Sequence, residues 1–521
     1  MNKTPAIDHP SVAGQEGVRA PRFAHSAFRE IEAALSSPLF FGIPLGATLN
    51  DSFFSGFVDG LGDWRWRTKW LRRLLYPRHL ILPKIHHSAG ATFSPGRVLV
   101  TWSLPSHRYN GLLLPVLERF GAGECAVLYG RDGVAQLVPA GVPHVPYREV
   151  MVFDASAWRR EYQRCWTSWR RTLRDACERF AFPEGAFELL SLELLVASQR
   201  VLGCVKFLEA HRPSVILTEY DRNTLWSCLV LAARTLGIPS MTLVHGVMGR
   251  DAFGFSPVLA DHILCWGELD RAILLDAGEA PSKVTVAGCP RLNRELPGPS
   301  LDGRRSLGID HDGPAVMLAT SPESIRLELA ETFCSAIEQL PGMSGVVRLH
   351  PSEDLASYQT MIARHPSVSF VENKRVSLDE ALAATDVVVV RASGFGSDAL
   401  VKRKPVVVLS PDKKPTGHDG DLIELAGCPH VHDSNELAAV LGRMVWDPAF
   451  RRGHELAAER FVAGFCAAFG NESAGITAAA VRAMADRRTS REPSASSFSD
   501  SEARLDVPAT GSPVDVNQSS S

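Results

Sequence analysis

The sequence predicts an α/β protein with two Rossmann-like domains of parallel sheet that face a cleft, followed by a C-terminal helical segment and a disordered tail. Short, continuously apolar runs alternate with amphipathic helical stretches, which is typical of parallel strands covered by helices on both faces. The alternation stops at an Asn-, Pro- and Gly-rich stretch, Asn293–Gly308, and then restarts. A length of 521 residues suits two or three domains.

These observations divide the chain into five segments. We expect an N-terminal extension at 1–95, a first Rossmann-like domain at 96–298, a second at 299–447, helices at 448–486 and a disordered tail at 487–521. The tail is assigned because serine, proline and acidic residues dominate it and leave almost nothing to bury. We expect the first domain to bind the acceptor and the second to bind a nucleotide-linked donor, for the reasons given below.

The first series contains six predicted strands. They are Arg97–Trp102, Glu124–Gly130, Ser214–Tyr220, Ser240–Gly246, Asp261–Gly267 and Val284–Gly288. Two long helical stretches, Ala155–Phe180 and Pro183–His211, separate the second strand from the third. Strands joined through helices in this way form a parallel sheet.

The second series contains six further strands. They are Ala315–Thr320, Gly345–Pro351, Val368–Val371, Asp386–Val390, Pro405–Leu409 and a short one at Pro429–Asp433. After the first of them, four apolar residues recur every fourth position and mark one face of a helix, Ile325, Leu329, Phe333 and Ile337. Ser377 and Glu380 have the spacing of a capping box at a helix start.

Composition excludes several classes of protein. Apolar residues make up 45% and charged residues 22%, which rules out a wholly disordered or collagen-like chain. The net charge of −3 argues against a nucleic-acid-binding protein. The ten cysteines form no CxxC pair and have no zinc-ligand spacing, so we expect buried core residues, a reducing compartment and no metal site. No signal peptide or membrane-spanning run is evident, so we expect a cytoplasmic protein.

Candidate functional residues follow the strands, because ligands of such sheets bind beyond the carboxyl ends of the strands. In the first series these residues are Glu219 and Asp221 after one strand and His245 after the next. Asp221 has a second interpretation as a helix N-cap. A single histidine at a strand end is often structural, but His350 occupies the matching place in the second series.

The turn between the Asp386–Val390 strand and the following helix is the most specific motif. Glycines and small hydroxyl residues directly before a helix expose backbone N–H groups at its N-terminus, and such a nest binds phosphate. The turn is not a Walker A loop, because no Gly-Lys-Ser or Gly-Lys-Thr follows it, and no GxGxxG follows the first strand, where a dinucleotide-binding fold would need it. The predicted nucleotide site combines this turn with residues at the end of the Gly345–Pro351 strand. Its residues are Arg348, His350, Pro351, Arg391, Ser393, Gly394, Gly396, Ser397 and Asp398.

Both halves resemble the GT-B superfamily of glycosyltransferases. In the first half the resemblance rests on VILTEYDRNTLWSCLVLAARTLGIPSMTLVHG, ADHILCWGELDRAILLDAG and VTVAGCPR, in the order found in bacterial surface-polysaccharide transferases. In the second half it rests on RLHPSED and SLDEALAATDVVVVRASGFGSDALVKRKPVVVL, which are similar to nucleotide-sugar transferases, including sialyltransferase-like and capsule enzymes. The resemblance covers about Arg97 to Val440.

The resemblance implies roles for several residues. His350–Pro351 would contact the donor nucleotide, and Ser393–Gly394 would form its phosphate-binding turn. Asp398 stands where the family often has a glutamate that holds ribose hydroxyls, one methylene shorter than the family pattern. Asp419 and Asp421 fall where related enzymes hold donor-sugar hydroxyls, or they belong to a polar loop. Enzymes of this superfamily usually need no metal for chemistry.

Glycosyl transfer requires two kinds of group. The leaving phosphate needs positive charge or N–H donors, which the turn together with Arg348 or Arg391 can supply. The acceptor hydroxyl needs a base. We prefer His245 for this role because its unperturbed pKa, near 6.5, suits neutral pH, and we place Asp221 second, with Glu219 also at a strand end.

The predicted function is transfer of a sugar from a nucleotide-activated donor, linked to CMP, CDP or UDP, to a cell-surface polysaccharide or glycolipid precursor. No tightly bound cofactor is expected. Three alternatives stay open. The first is a CDP-polyol phosphotransferase of the teichoic-acid or capsule type. The second is a UDP-sugar 2-epimerase, which needs several acidic residues around one hexose. The third is a degenerate, non-catalytic scaffold, which would bind a nucleotide without turnover.

A basic, aromatic segment in the extension has two interpretations. Trp64–Lys84 contains seven Lys or Arg residues and no acid, interleaved with three tryptophans and a tyrosine. Such a segment is either a solvated helix packed on the first domain or a docking element for anionic lipid headgroups. The second interpretation would place the protein on the inner face of the cell membrane. Nucleic acid is the less favoured partner.

Overall fold

The computed structural model describes residues 29–49, 96–150, 155–180, 186–250, 252, 254–298, 301–321, 325–391, 394–413 and 419–489. Two all-parallel sheets of seven and six strands, with helices around them, confirm the predicted fold class. The basic segment 64–84 and most of the predicted tail lie outside the described residues. The five-segment division of the chain stays a prediction.

The first sheet has the strand order β3-β2-β1-β4-β5-β6-β7. Its strands are β1 (Val98–Trp102), β2 (Cys125–Tyr129), β3 (His144–Pro146), β4 (Val215–Thr218), β5 (Ser240–Leu243), β6 (His262–Cys265) and β7 (Val284–Val286). The sequence patterns predicted all of them except β3. That edge strand has three residues and ends in proline, so it gives no apolar run. The strand order reverses between β1 and β4, which makes that point the switch point of the sheet.

Five helices of the first domain connect these strands. They are α1 (His107–Leu117), α2 (Ala155–Arg179), α3 (Ala186–His211), α4 (Thr224–Thr235) and α5 (Glu268–Asp276). The N-cap of α4 is Asn223, whose side chain accepts a hydrogen bond from the Leu225 N–H. The interpretation of Asp221 as that cap is therefore wrong.

The second sheet has the strand order β10-β9-β8-β11-β12-β13 and reverses between β8 and β11. Its strands are β8 (Ala315–Ala319), β9 (Ser344–Arg348), β10 (Val368–Val371), β11 (Val387–Val390), β12 (Val406–Leu409) and β13 (His430–Val431). Its helices are α6 (Leu301–Ser306), α7 (Arg326–Glu338), α8 (Gln359–Arg364), α9 (Leu378–Ala384), α10 (Gly394–Val401), α11 (Asp419–Glu424) and α12 (Ser434–Trp446). The predicted capping box of α9 is formed in both directions.

Two C-terminal helices connect the second domain back to the first. Helix α13 (Pro448–Phe465) packs on α10 and α5, and α14 (Gly470–Thr489) packs on α1 and the first sheet. The end of α13 and the turn that follows it lie against two glycines of the first domain. A Cβ on Gly267 would stand 2.2 Å from the Gly464 carbonyl oxygen, and one on Gly288 would stand 2.2 Å from that of Ala468. Only glycine allows this close approach of two backbones.

The short N-terminal part that the structure describes is tied to the first domain by a buried ion pair. Residues 29–34 are helical, and Glu32 there receives hydrogen bonds from both terminal nitrogens of Arg222, at 3.2 and 2.9 Å. The Arg222 side chain is fully buried. Because losing one partner of such a pair strands a buried charge, at a cost of about 3–5 kcal/mol, this contact fixes residues 29–49 on the domain.

The state of the cysteines agrees with the expectation from composition. All ten cysteines are free, nine are buried, and Cys177 is half-buried, which confirms that they are core residues. Among the described residues, no helix is long and apolar enough to cross a membrane. In the same part of the chain, no group of three His, Cys, Asp or Glu residues could hold a metal ion.

Candidate functional site

The two domains meet where their strands end. Val247 follows β5 in the first domain, and Gly394 begins α10 directly beyond β11 in the second. A Cβ added to Gly394 would lie 3.2 Å from a Val247 methyl group, so the two segments are in contact. The carboxyl end of one sheet therefore faces that of the other, and the candidate site lies at this junction.

His245 stands at the junction in an aromatic environment. Its ring lies 4.3 Å from the Tyr220 ring and 4.9 Å from the Phe255 ring, which stacks on it, with Tyr109 at 6.0 Å between ring centres. Its Nδ1 atom is buried and has no hydrogen-bond partner among the described residues. A buried polar atom without a partner is costly, which makes this nitrogen a candidate to bind a group from outside the protein.

The environment of His245 changes its proton affinity. Burial, together with the charge of Arg108, lowers the pKa of the imidazole to about 3. The expectation of an unperturbed pKa is therefore wrong, because the aromatic rings exclude the water that would solvate the cation. The imidazole is neutral at physiological pH and presents a nitrogen that can accept a proton. An anion bound nearby would raise its pKa and make it a stronger base.

Glu219 is part of the core and is not available as a base. Its carboxylate accepts hydrogen bonds from the Thr101 hydroxyl at 2.6 Å, the Ser103 N–H at 2.6 Å, the Ser103 hydroxyl and the Trp226 indole at 2.8 Å. Burial raises its pKa. These bonds join the ends of β1 and β4 at the switch point of the sheet. The structure gives Glu219 this structural role instead of the predicted catalytic one.

Asp221 is likewise committed to the fold. One of its carboxylate oxygens accepts the N–H groups of Leu259 and Ala260, at 2.7 and 2.8 Å. The side chain is buried, and burial raises its pKa. Asp221 thus fixes the segment that leads into β6, so the geometry argues against its predicted role as a second base.

On the second domain, the His350–Pro351 pair is held at the end of β9. The His350 N–H donates to the Thr320 hydroxyl and to the Glu353 carboxylate, at 3.0 and 3.1 Å. The His350 Nδ1 atom lies 2.8 Å from the Ser352 hydroxyl. Burial lowers the pKa of this imidazole, so it is neutral as well, while Pro351 is exposed. The pair has a fixed orientation at a strand end, as a contact to a nucleotide requires.

Arg348 has a buried donor without a partner among the described residues. It is buried, and its Nη2 donates to the carbonyls of Asn373 and Val376, at 3.4 and 3.2 Å. The guanidinium lies 5.9 Å from the centre of the Phe395 ring. Its Nε atom is buried without a partner in the described part of the chain, and burial lowers its pKa. An anion bound next to Arg348 would stabilise the charged guanidinium, which burial destabilises.

The helix begins within the predicted phosphate turn, because α10 already starts at Gly394 and therefore includes Gly394 and Gly396. A Cβ on Gly396 would collide with Leu422 at 2.7 Å. Ser397 is buried in the helix, while Ser393 lies outside the described residues. Arg391 donates to Asp412 at 2.8 Å, so an acid already balances its charge.

Asp398 and Asp421 pair with arginines of the first domain. Both oxygens of Asp398 accept hydrogen bonds from Arg291, at 2.8 and 3.1 Å, and that guanidinium also lies over the Trp266 ring. Asp421 accepts a hydrogen bond from Arg250 at 2.6 Å. The predicted ribose and sugar contacts of these two acids are thus replaced by ion pairs between the domains. Asp419 begins α11, and its side chain lies outside the described residues.

Arg108, Tyr109 and Phe255 were not among the residues predicted from the sequence. Arg108 and Tyr109 occupy the first turn of α1, the helix that follows the strand at the switch point. Their position after β1 could have identified Arg108 and Tyr109, because a helix that follows β1 begins at the edge of the sheet where ligands bind. Phe255 lies in an irregular segment before β6, and no local pattern indicates its contact with His245.

Comparisons with known proteins agree with the fold. No family model matches the chain, and no curated protein matches it. A solved structure from Listeria monocytogenes, provisionally named UDP-N-acetylglucosamine 2-epimerase, is 14% identical with a TM-score of 0.50, covering 75% of this chain and 98% of that one. A glycosyltransferase from Rickettsia africae is 11% identical with a TM-score of 0.47, covering 75% and 98%. The first likeness shows a shared fold of the GT-B type and no more.

The lowered pKa of His245 predicts a specific dependence of stability on pH. Near pH 5 the unfolded chain protonates this histidine and the folded chain does not, so unfolding is favoured. We expect wild-type protein to lose about 1–2 kcal/mol more stability than His245→Gln between about pH 7 and pH 5. Urea unfolding at both pH values measures this difference.

A matched control is available in His144, which is exposed. His144→Gln should follow the wild-type curve over the same pH range. Parallel curves for wild type and His245→Gln would contradict the lowered pKa.

Proposed function

We propose that this chain is a glycosyltransferase that moves a sugar from a nucleotide-activated donor to a cell-surface polysaccharide or glycolipid precursor. The observation that carries the proposal is the neutral His245, whose buried Nδ1 has no partner at the junction of the two sheets. The GT-B type of fold and the order of the sequence motifs support it. The acceptor would bind on the first domain and the donor on the second.

The donor site is proposed from the residues that still have capacity to bind. Arg348 offers a buried Nε donor, His350–Pro351 is fixed at the end of β9, and α10 directs its N-terminus at the junction. A diphosphate gains from both a guanidinium and a helix N-terminus. The solved structure from Listeria monocytogenes is named for a UDP-sugar, so UDP compounds are the first donors to test, followed by CMP and CDP compounds.

The proposed reaction is direct displacement at the anomeric carbon of the donor. The acceptor oxygen forms the new bond to that carbon while the bond from carbon to the phosphate oxygen breaks. His245 takes the proton of the acceptor hydroxyl. The electron pair leaves with the nucleotide phosphate, whose charge Arg348 and the first N–H groups of α10 stabilise. The phosphates of the donor also raise the pKa of His245 at the moment when it must act as a base.

A UDP-sugar 2-epimerase is the less favoured alternative. That reaction needs acidic groups around one hexose, but Glu219, Asp221, Asp398 and Asp421 all have partners within the protein. The CDP-polyol phosphotransferase and the non-catalytic scaffold make different predictions in the experiments that follow. Membrane contact through 64–84 stays a prediction, because the segment lies outside the described residues.

Nucleotide binding is the first expected result. Full-length protein should gain thermal stability with UDP or a UDP-sugar, because a ligand at 100 times its Kd adds about 2.7 kcal/mol to the free energy of unfolding. Arg348→Gln should reduce the gain, whereas Arg364→Gln, at an exposed ion pair with Glu331, should not. A response to CDP-glycerol alone would favour the phosphotransferase. The absence of any response to UDP, CMP and CDP compounds would contradict the proposal.

Turnover is expected to depend on His245. His245→Gln should bind the nucleotide as wild type does but lose about 10²–10⁴-fold in turnover, because general base catalysis contributes on that scale. When the natural acceptor is unknown, water can take its place, so the release of UDP from a UDP-sugar by hydrolysis measures turnover. Glu219→Gln serves as a comparison, since a structural role predicts lower stability first. Full turnover by the His245 variant would eliminate its proposed role, and nucleotide binding without turnover in wild type would favour the scaffold.

A further inference from the structure

The long helix α2 has two unlike faces. One face is buried and apolar, with Trp158, Cys165, Trp169 and Leu173. The opposite face carries five exposed arginines, which we call the arginine face: Arg159, Arg160, Arg170, Arg171 and Arg174. The two faces place the helix on the outside of the first domain with its basic side towards solvent.

Within the part of the chain that the structure describes, the charge of the arginine face is largely without a counter-charge. Between Arg159 and Arg174 the only acid on the helix is Glu161, which lies beside that face and pairs with Arg164. Among the described residues, Arg159, Arg160, Arg170 and Arg171 have no ion-pair partner. At a rise of 1.5 Å per residue these four arginines extend over about 18 Å of helix. Such a density of uncompensated charge predicts an anionic partner with several phosphates.

Two exposed apolar side chains stand next to the arginine face. Leu39 and Phe41 are 47% and 45% exposed. The Leu39 carbonyl accepts a hydrogen bond from Arg164 at 2.7 Å, and the Phe41 N–H donates to Glu161 at 3.2 Å. A turn that exposes two large apolar residues is therefore attached directly to the helix that carries the arginines.

We propose that the arginine face, together with Leu39 and Phe41, docks on an anionic lipid surface. Basic residues on a helix bind lipid phosphates, and neighbouring apolar side chains gain from insertion among acyl chains. A nucleic acid would use the arginines but would leave the apolar pair in water. The proposal concerns residues other than the predicted segment 64–84 and holds whether or not the protein transfers a sugar.

Sedimentation with lipid vesicles tests the proposal on the full-length protein. Wild type should bind vesicles of equal parts phosphatidylglycerol and phosphatidylcholine at low salt, and bind pure phosphatidylcholine weakly. Each basic residue near an anionic surface increases the affinity for that surface by a factor of about five. The variant R159Q/R160Q/R170Q/R171Q, with four substitutions, should therefore bind on the order of several hundredfold more weakly. Leu39→Ser with Phe41→Ser should weaken the binding that persists at high salt, where charges are screened.

A control variant with the same change in net charge shows whether the loss of binding comes from the arginine face or only from the lower net charge. R305Q/R443Q/R452Q/R460Q removes four exposed arginines from the second domain and α13, and should bind vesicles as wild type does. Equal melting temperatures confirm that both variants fold. The proposal is overturned if wild type does not bind anionic vesicles, if the α2 variant binds them as well as the control, or if a double-stranded oligonucleotide binds the arginine face more tightly than vesicles do.

Discussion

The contact between Arg291 and Asp398 is the constraint on which the arrangement of this protein depends. It joins the segment after β7 in the first domain to α10, the helix that follows β11 in the second. Both side chains are nearly buried, at 13% and 9% exposure. A buried pair of this kind is strongly destabilised when one partner is lost. Arg250 with Asp421 repeats the contact at a more exposed place. Together these pairs hold the ligand edges of two sheets face to face.

This constraint determines which residues remain for chemistry. Polar side chains cluster at the strand ends, but most of them serve the fold. Glu219 and Asp221 satisfy backbone and side-chain donors in the first domain, and Asp398 and Asp421 bind arginines across the junction. Two groups at these edges have a buried nitrogen without a hydrogen-bond partner among the described residues, the neutral His245 in the first domain and Arg348 in the second. The proposed base and the proposed phosphate contact are those two groups.

The sequence predicted the strands well because a strand buried on both faces is a local apolar run. It missed His144–Pro146, whose three residues give no such run. It placed the polar residues at the ends of the strands, where the structure has them, but it did not predict that Asp398 and Asp421 pair with arginines 107 and 171 positions away. The prediction of an unperturbed pKa for His245 was wrong for a similar reason. Burial among rings from three separate segments of the chain lowers it, together with the charge of Arg108, and no local pattern brings these groups together.

A double-mutant cycle on Arg291 and Asp398 tests the central claim most directly. Arg291→Gln, Asp398→Asn and the double variant are compared with wild type by their free energies of unfolding in urea. The ion pair predicts that the double variant loses at least about 1 kcal/mol less than the sum of the two single losses, because each single change already removes the same contact. If the two single losses add up to the loss of the double variant within about 0.5 kcal/mol, the ion pair is contradicted. That result would favour the ribose contact that the sequence suggested for Asp398.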